Sequence, residues 1–357
     1  MTKPMLLADF TRLPPMTRGL VLDGLSGALD LVAERAPETH RFLRYQWFAA
    51  ALATFGGSAR TILIERDGDP VIALPMIRFG PASARLAAVP GSDVPFRSFP
   101  ADADADAGAF DALVDRLGEA VNALRIGPVR DGDPALWPLL AAARAKGWAT
   151  LDRFVGDSHL LDLRAALDAG DWPRPSTAQR NRFYEKHLAD RGVLDWHFLD
   201  GAGLAAGGFT ELAAVEEKNA ARGDRHHDFW QGTVADPVLA GMLWAALVTV
   251  DGAPVAWALD LHVGAIKYPI VGCEDPAFVR HAPGRLLYYR SFVRAGEAGI
   301  GTVDWGIGRG HQRAIDATEG PAIRDWLLVR PGLPALLGRV LRGLWERPAQ
   351  RDVRGGD

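Results

Sequence analysis

Residues 265–299 read AIKYPIVGCEDPAFVRHAPGRLLYYRSFVRAGEAG and contain the most informative succession of elements in the chain. An apolar strand interrupted by Pro269 is followed by a loop and then by an amphipathic helix that ends before Gly299. Because Pro269 has no N–H to donate to a neighbouring strand, we expect a bulge or a separation of strands there. This order of strand, loop and helix predicts an α/β fold.

The hairpin immediately before this stretch has a counterpart earlier in the chain. The segments DGDPVIALPMIRFG (67–80) and DGAPVAWALDLHVG (251–264) align without gaps and share five of fourteen residues, 184 positions apart. Asp-Gly dipeptides are common in tight hairpin turns, so chance can produce such a match. Since the offset is about half of the chain, we favour a duplicated unit. Two lobes would then hold separate mixed sheets, with equivalent hairpins at 62–79 and 246–263.

Length and composition agree with two lobes. The chain has 357 residues, which is more than one hydrophobic core usually serves. A Pro-containing stretch, DAGDWPRPSTAQR (168–180), marks the boundary. We therefore predict an α/β protein, with mixed α+β sheets, divided into an N-terminal lobe in 1–167 and a C-terminal lobe in 168–332. A basic amphipathic helix and tail are predicted in 333–357.

The charge and the cysteine content exclude several classes of protein. A formal net charge of −4 gives no general reason to expect a nucleic-acid partner. Cys273 is the sole cysteine, which excludes an intramolecular disulfide and a zinc site made of several thiolates. The pair His226-His227 has no further ligand at a suitable spacing, so we predict no metal. No apolar run reaches the roughly 18–20 residues of a membrane span, and the N-terminus lacks a secretory signal. We expect a cytoplasmic protein of open oligomeric state.

Three segments, DGAPVAWAL, EDPAFVRHAPGRLLYYRSFVRAGEAG and VDWGIG, carry a resemblance to a known family. They resemble the GNAT-fold acyltransferases associated with bacterial cellulose and exopolysaccharide biosynthesis, which are relatives of the Fem-type peptidoglycan aminoacyltransferases. The likeness extends from about Phe42 to Leu328. It implies two tandem GNAT-like lobes, the first of them degenerate. It also implies an N-acyltransferase, in the first place an N-acetyltransferase, that moves an acyl group from acyl-CoA to an amine of a small metabolite, sugar or amino acid.

The start of the helix after Gly284 is the predicted cofactor site. A glycine there lets a ligand approach the backbone, and the N–H groups of the first helical turn point towards an anion. Arg280 and Arg285 flank the turn and can add contacts to phosphate. The alternative is an ordinary Pro-Gly helix start with two solvated arginines. With the resemblance, this pattern predicts acetyl-CoA or another acyl-CoA bound at Arg280, Pro283, Gly284, Arg285 and Leu286.

Acyl transfer to an amine requires a base that accepts the ammonium proton, and three residues are candidates. Asp304 ends a short apolar strand before a glycine-rich turn, where it would face a cleft between the lobes or simply cap that turn. Glu217 lies where the resemblance implies a polar helix end that faces substrate, and the alternative is a solvated helix face. His281 lies in the loop before the cofactor helix, where the alternative is an exposed loop histidine.

Two departures from the family pattern keep other functions open. Glu274 stands where an aromatic residue commonly precedes Asp-Pro, and Gln312-Arg313 stand where a Tyr-Lys pair often occurs. One alternative is a Fem-like transferase that takes its aminoacyl group from charged tRNA, although the chain lacks the long helical insertion of some such enzymes. The other alternative is a catalytically silent GNAT-like scaffold in an exopolysaccharide pathway.

Overall fold

The computed structural model describes residues 16–91, 96–170, 173–216, 226–307 and 317–333, together with Gly343 and Trp345. The described strands are β1 (Thr17–Asp23), β2 (Ala59–Arg66), β3 (Asp69–Phe79), β4 (Leu86–Ala88), β5 (Ala123–Arg130), β6 (Ala149–Asp162), β7 (Leu194–Asp200), β8 (Leu243–Val250), β9 (Ala253–Val263), β10 (Ile266–Glu274), β11 (Thr302–Asp304) and β12 (Thr318–Val329). The described helices are α1 (Ala28–Arg35), α2 (Tyr45–Phe55), α3 (Ala107–Ala120), α4 (Leu136–Ala145), α5 (Leu163–Asp168), α6 (Pro175–Ala189), α7 (Gly201–Gly203), α8 (Phe209–Glu216), α9 (His226–Thr233), α10 (Pro237–Met242) and α11 (Pro283–Glu297).

All twelve described strands belong to one mixed sheet, in the order β1-β2-β3-β4-β5-β12-β6-β11-β10-β9-β8-β7. The hairpins β2–β3 and β8–β9 are the second and third strands from opposite edges. The parallel pairs β4–β5 and β10–β11 also occupy matching places in the two halves. The predicted mixed α/β fold is confirmed, and the repeated hairpins lie in equivalent places, as duplication requires.

The expectation of two separate sheets is wrong, because the two lobes exchange their last strands. Strand β12 lies between β5 and β6 and is antiparallel to both, although β11 precedes it in the chain. The C-terminal end of β6 pairs in turn with β11, where Leu160 is opposite Asp304. Each half of the sheet is therefore completed by a strand from the other half of the chain.

Helices α2 and α9 connect the lobes through aromatic contacts. The ring of Trp47 on α2 lies edge-on to Phe229 and Trp230 on α9, with centroid distances of 4.9 and 5.6 Å. All three side chains are buried. Paired aromatic rings contribute beyond the apolar area that they bury. The largest apolar cluster among the described residues contains members of both lobes, so the contact between the lobes is a true core.

The strands β10 and β11 create an opening in the sheet. They are parallel neighbours over two residue pairs, the last of which is Lys267–Val303. The register of β10 against β9 shifts after Pro269, so the predicted bulge is confirmed. Since pairing with β11 ends before this bulge, the two strands separate and leave a fork. Tyr268 on β10 and Asp304 on β11 lie where the fork begins.

The predicted lobe boundary and the predicted C-terminal helix have different outcomes. The division between 167 and 168 lies at the end of α5 and stays a prediction. The predicted C-terminal helix lies largely outside the described residues, since only Gly343 and Trp345 are described beyond 333, and both are helical.

Candidate active site

Asp304 forms an ion pair with Arg130 at the beginning of the fork. The Nη2 atom of Arg130, at the end of β5, lies 2.5 Å from Oδ2 of Asp304. The other carboxylate oxygen of Asp304 accepts a hydrogen bond of 2.8 Å from the backbone N–H of Gly306. Asp304 therefore caps the glycine-rich turn and is paired with a cation of β5.

Tyr268 extends this pair towards the opening. Arg130 Nη1 donates a hydrogen bond of 3.0 Å to the hydroxyl oxygen of Tyr268, and the guanidinium carbon lies 4.5 Å from the centroid of the tyrosine ring. Burial raises the pKa of Tyr268 above its ordinary value, and Arg130 only partly opposes this. The phenol therefore keeps its proton and can donate a hydrogen bond to an oxyanion formed at the fork.

The carboxylate of Asp304 has a perturbed acidity. Burial raises the pKa of Asp304, although Arg130, the N–H of Gly306 and His159 favour the charged form. A carboxylate with a raised pKa accepts a proton closer to neutral pH. Its side chain is 0% exposed, however.

A small cavity of about 150 Å³ lies directly beside these residues, between the two lobes. Its walls come from the 3-10 turn Glu38–His40, from the 130–134 turn after β5 and from β10. Arg130 and Tyr268 both line it. The cavity therefore connects the buried ion pair with a space that can hold a small group.

The predicted base His281 lies in a 3-10 turn, Val279–His281, ahead of α11. It is 8% exposed and is therefore buried, unlike a solvated loop histidine. Nε2 of His281 accepts a hydrogen bond of 3.1 Å from Nε of Arg280. Burial lowers the pKa of His281, and the neighbouring Arg280, Arg191 and His187 lower it further. The lowered pKa favours the neutral ring, but its Nε2 atom already accepts the hydrogen bond from Arg280.

The N-terminus of α11, the predicted phosphate site, already holds a carboxylate. The backbone N–H of Gly284 donates a hydrogen bond to Glu274, and burial raises the pKa of Glu274 despite this bond. A Cβ atom added at Gly284 would lie 2.5 Å from Oε1 of Glu274. The residue that departs from the family pattern therefore occupies the position that an anion would need.

The other predicted cofactor residues lie around this helix start. Nε of Arg285 donates a hydrogen bond of 3.1 Å to Oδ1 of Asn181 on α6, whereas Pro283 and Leu286 are buried. Arg280 and Arg285 are both engaged with protein groups in this structure. The predicted cofactor residues and Asp304 have different neighbours. The residues at the start of α11 contact α6 and Glu274, whereas the contacts of Asp304 reach β5 and Tyr268.

Glu217 lies outside the described residues, as do Gly308 and Gln312-Arg313.

Sequence reasoning missed Arg130 and Tyr268, for which weak signals existed. Arg130 is a charged residue at the end of an apolar strand, and Tyr268 directly precedes the predicted bulge.

Within the described parts of the chain, no group of three or more His, Cys, Asp or Glu side chains could hold a metal ion. None of the described helices is long and apolar enough to cross a membrane.

Comparison with known families and structures supports the fold. Residues 176–313 match the family described as acetyltransferase (GNAT) domain. The crystal structure of FemX is similar with a TM-score of 0.59 at 15% identity, covering 92% of this chain and 99% of that one. The C-terminal domain of a protein assigned as a lysylphosphatidylglycerol synthetase from Agrobacterium fabrum has a TM-score of 0.56 at 14% identity, covering 89% and 97%. For L-PGS from Bacillus licheniformis the values are 0.51, 13%, 85% and 98%.

These likenesses establish a shared fold, in which nearly the whole chain takes part. At such low identity they concern the fold alone. No curated protein matches the sequence. Residues 176–313 thus match a GNAT acetyltransferase domain, within a mixed α/β fold.

Proposed function

We propose that this protein is an N-acyltransferase that joins an acyl group to an amine at the fork between β10 and β11. The observation that carries the proposal is the cluster of Asp304, Arg130 and Tyr268 beside a cavity between the lobes. A partly buried cation and a phenol hydroxyl can stabilise an oxyanion that forms beside them. The match of residues 176–313 to the GNAT domain supports the same reaction class.

As donor we propose an acyl-CoA, in the first place acetyl-CoA. Its pyrophosphate would bind at the start of α11, with Arg280 and Arg285 on either side and the segment Pro283, Gly284 and Leu286 beneath it. This requires the Glu274 carboxylate to leave the N–H of Gly284. The carboxyl group of Glu274 is at the end of a flexible side chain, and its pKa is raised. A competing anion can therefore displace it from the N–H of Gly284.

A second candidate donor is aminoacyl-tRNA, and the position of Glu274 favours it. The Gly284 N–H is taken by Glu274, the N–H of Leu286 by the carbonyl of Ala282, and the side chains of Arg280 and Arg285 by His281 and Asn181. A donor that does not use this helix start would leave these bonds intact. Similarity to the structure named FemX supports this candidate.

Other parts of the proposal concern the setting of the reaction. The acceptor would be an amine of a small metabolite, sugar or amino acid, and the pathway one of exopolysaccharide biosynthesis in the cytoplasm. The lobe in 168–332 would hold the donor, and the lobe in 1–167 would contribute Arg130. His281 and Glu217 stay candidate bases beside Asp304.

The test is calorimetric titration of CoA into wild type and Glu274→Gln, with Glu297→Gln at the other end of α11 as the matched control. Glu274→Gln removes a negative charge that competes with CoA for the helix N-terminus. CoA binding should therefore tighten about threefold, which corresponds to the roughly 0.3–1 kcal/mol of a charge at a helix end. Glu297→Gln should leave CoA affinity unchanged.

Each proposal has a contradicting result. If no variant binds CoA while wild type transfers an aminoacyl group from charged tRNA to an amine, the acyl-CoA proposal is wrong and the second candidate holds. If neither donor supports transfer, the chain is the silent scaffold.

A further inference from the structure

His40 and Asp133 form a buried pair in the first lobe, at a wall of the cavity between the lobes. Nε2 of His40 lies 3.1 Å from Oδ2 of Asp133. His40 is 5% exposed and Asp133 is 8% exposed. Neither residue belongs to the acetyltransferase match at 176–313. The pair therefore needs an explanation of its own.

Asp133 is held rigidly in its charged form. Its Oδ1 atom accepts hydrogen bonds from the hydroxyl of Ser98 at 3.1 Å and from the backbone N–H groups of Ala135 and Leu136 at 3.1 and 2.8 Å. Burial alone would raise the pKa of Asp133, but His40, the N–H of Leu136 and the hydroxyl of Ser98 outweigh it and the pKa is lowered. A charged carboxylate next to Nε2 keeps a proton on that nitrogen, so Nδ1 is the ring nitrogen that can take up or release the second proton.

The Nδ1 atom of His40 is buried and has no hydrogen-bond partner among the described residues. A buried acceptor without a partner is costly, and such groups cluster where a ligand completes the bonding. The opposite nitrogen is fixed by Asp133, so Nδ1 is the only ring nitrogen of His40 available to a ligand. This is the arrangement of an oriented general base.

His40 is among the residues that line the cavity, which offers the space for that ligand. Its volume of about 150 Å³ corresponds to roughly five waters, or to the end of an aliphatic amine. Phe42, Phe96 and Ile266 give apolar walls that suit methylene groups, while His40, Tyr268 and Arg130 give the polar wall. Three charged residues line the space: Arg130 at the end of β5, and Asp131 and Asp133 on the turn after it. Arg130 is paired with Asp304, Asp131 with Arg324 and Asp133 with His40.

We propose that His40 is the general base of the acyl transfer, that Asp133 is its positioning residue, and that the cavity binds the primary-amine end of the acceptor. This inference rests on the proposed function and supplies what the fork lacks, because the carboxylate of Asp304 is enclosed by Arg130. The acceptor is thus an unhindered primary amine on a short aliphatic chain.

An ammonium first gives its extra proton to solvent, and the free amine forms a C–N bond with the carbonyl carbon of the donor, a thioester or an ester. One N–H proton moves to Nδ1 of His40 while Tyr268 stabilises the oxyanion. The C–S or C–O bond then breaks, and the proton on His40 passes to the leaving sulfur or oxygen.

The first test is independent of transfer. Long-range ¹H–¹⁵N spectra of the histidine rings, with the His40 signals identified by their loss in His40→Gln, should show the proton on Nε2. Addition of propylamine should shift the Nδ1 signal of His40 and leave that of the exposed His197 in place. A proton on Nδ1, or no shift at saturating propylamine, would overturn the inference.

The second test uses whichever donor supports transfer in wild type. His40→Gln should lower kcat at least about 100-fold with an unchanged circular dichroism spectrum, and imidazole should restore part of the activity of His40→Ala. A role in packing alone would predict no rescue by imidazole. Transfer by folded His40→Gln at more than a third of the wild-type rate would overturn the inference. If wild type transfers no acyl group from either donor while propylamine still shifts His40, the proposed function fails and the amine cavity stands.

Discussion

The guanidinium of Arg130 on β5 lies 2.5 Å from the carboxylate of Asp304 on β11, so that a cation of the first lobe and an acid of the second meet across the exchanged strands. The two residues are 174 positions apart in the chain. Their contact depends on β6 and β12, which lie between β5 and β11 in the sheet. The candidate site is therefore a product of the strand exchange.

We expect Asp304→Asn to lower the rate of acyl transfer about tenfold, a loss of roughly 1.4 kcal/mol of transition-state stabilisation. Arg130 would lose its anion and with it the position that holds Tyr268. Melting should stay near that of wild type, because burial already raises the pKa of Asp304 and a neutral amide of the same shape is tolerated there. Kinetics and thermal melts check both expectations.

Asp325 offers a matched control. It is 1% exposed and pairs with Arg125 and Arg153, away from the fork. Asp325→Asn should lower stability while the rate of the folded protein stays unchanged. Normal transfer or unfolding in Asp304→Asn would make Asp304 incidental or structural.

His262→Phe should make the free energy of unfolding depend less on pH at acid pH. Burial, with some help from Lys267, lowers the pKa of His262 to about 3 from 6.5. Between these values the unfolded chain binds a proton that the folded protein excludes, so stability falls as the pH falls. Wild type should lose about 1 kcal/mol per pH unit relative to the variant in this range. Phenylalanine keeps the stacking on Trp244.

The measurement is urea unfolding at a series of pH values. His197→Phe, which replaces an exposed histidine on β7, should give a curve parallel to that of wild type. Parallel curves for His262→Phe and wild type would mean that the His262 ring is protonated in the folded protein.

Gly127→Ala should destabilise the protein by about 2–4 kcal/mol through a clash within the exchanged sheet. Gly127 has a φ of +124°, and an added Cβ would lie 2.8 Å from the carbonyl oxygen of Arg324 and 2.9 Å from Cα of Asp325, both on β12. Gly299 has a φ of +89° with nothing within 4 Å of such a Cβ, so Gly299→Ala isolates the cost of the φ angle alone, about 1 kcal/mol. Equal losses in both variants, measured by urea unfolding, would show that β12 yields to the added methyl group.

The two halves of the chain should not fold separately. A fragment 1–167 lacks β12 and would expose the edges of β5 and β6, which favours aggregation. Co-expression of 1–167 with 168–357 should yield a one-to-one complex, and joining residues 317–330 to 1–167 by a flexible linker should restore solubility. Size-exclusion chromatography and circular dichroism distinguish these outcomes. A monomeric 1–167 with a cooperative melt would contradict the importance of the exchange.

Local patterns in the sequence determined several features correctly. The Asp-Gly turns between apolar runs predicted both hairpins and their equivalence, because turn residues and two-residue alternation act within a few positions. Pro269 predicted the bulge in β10, since a residue without an N–H cannot complete a strand ladder. The position of Asp304, at a strand end before glycines, indicated that its carboxylate could cap the turn.

Only the tertiary structure decided how the strands pair and what reaches the site. Strands β6 and β12 have the same alternating character whichever sheet they join, so nothing local in them indicates that they change places. Arg130, Tyr268 and His40 come together because that exchange brings three distant segments to one cavity. Glu274 shows the same limit at short range: its identity was visible in the sequence, but its hydrogen bond to Gly284 depends on the turn between β10 and α11. Hydrogen bonds between distant strands and side-chain directions across a turn depend on long-range packing, which no single stretch of sequence contains.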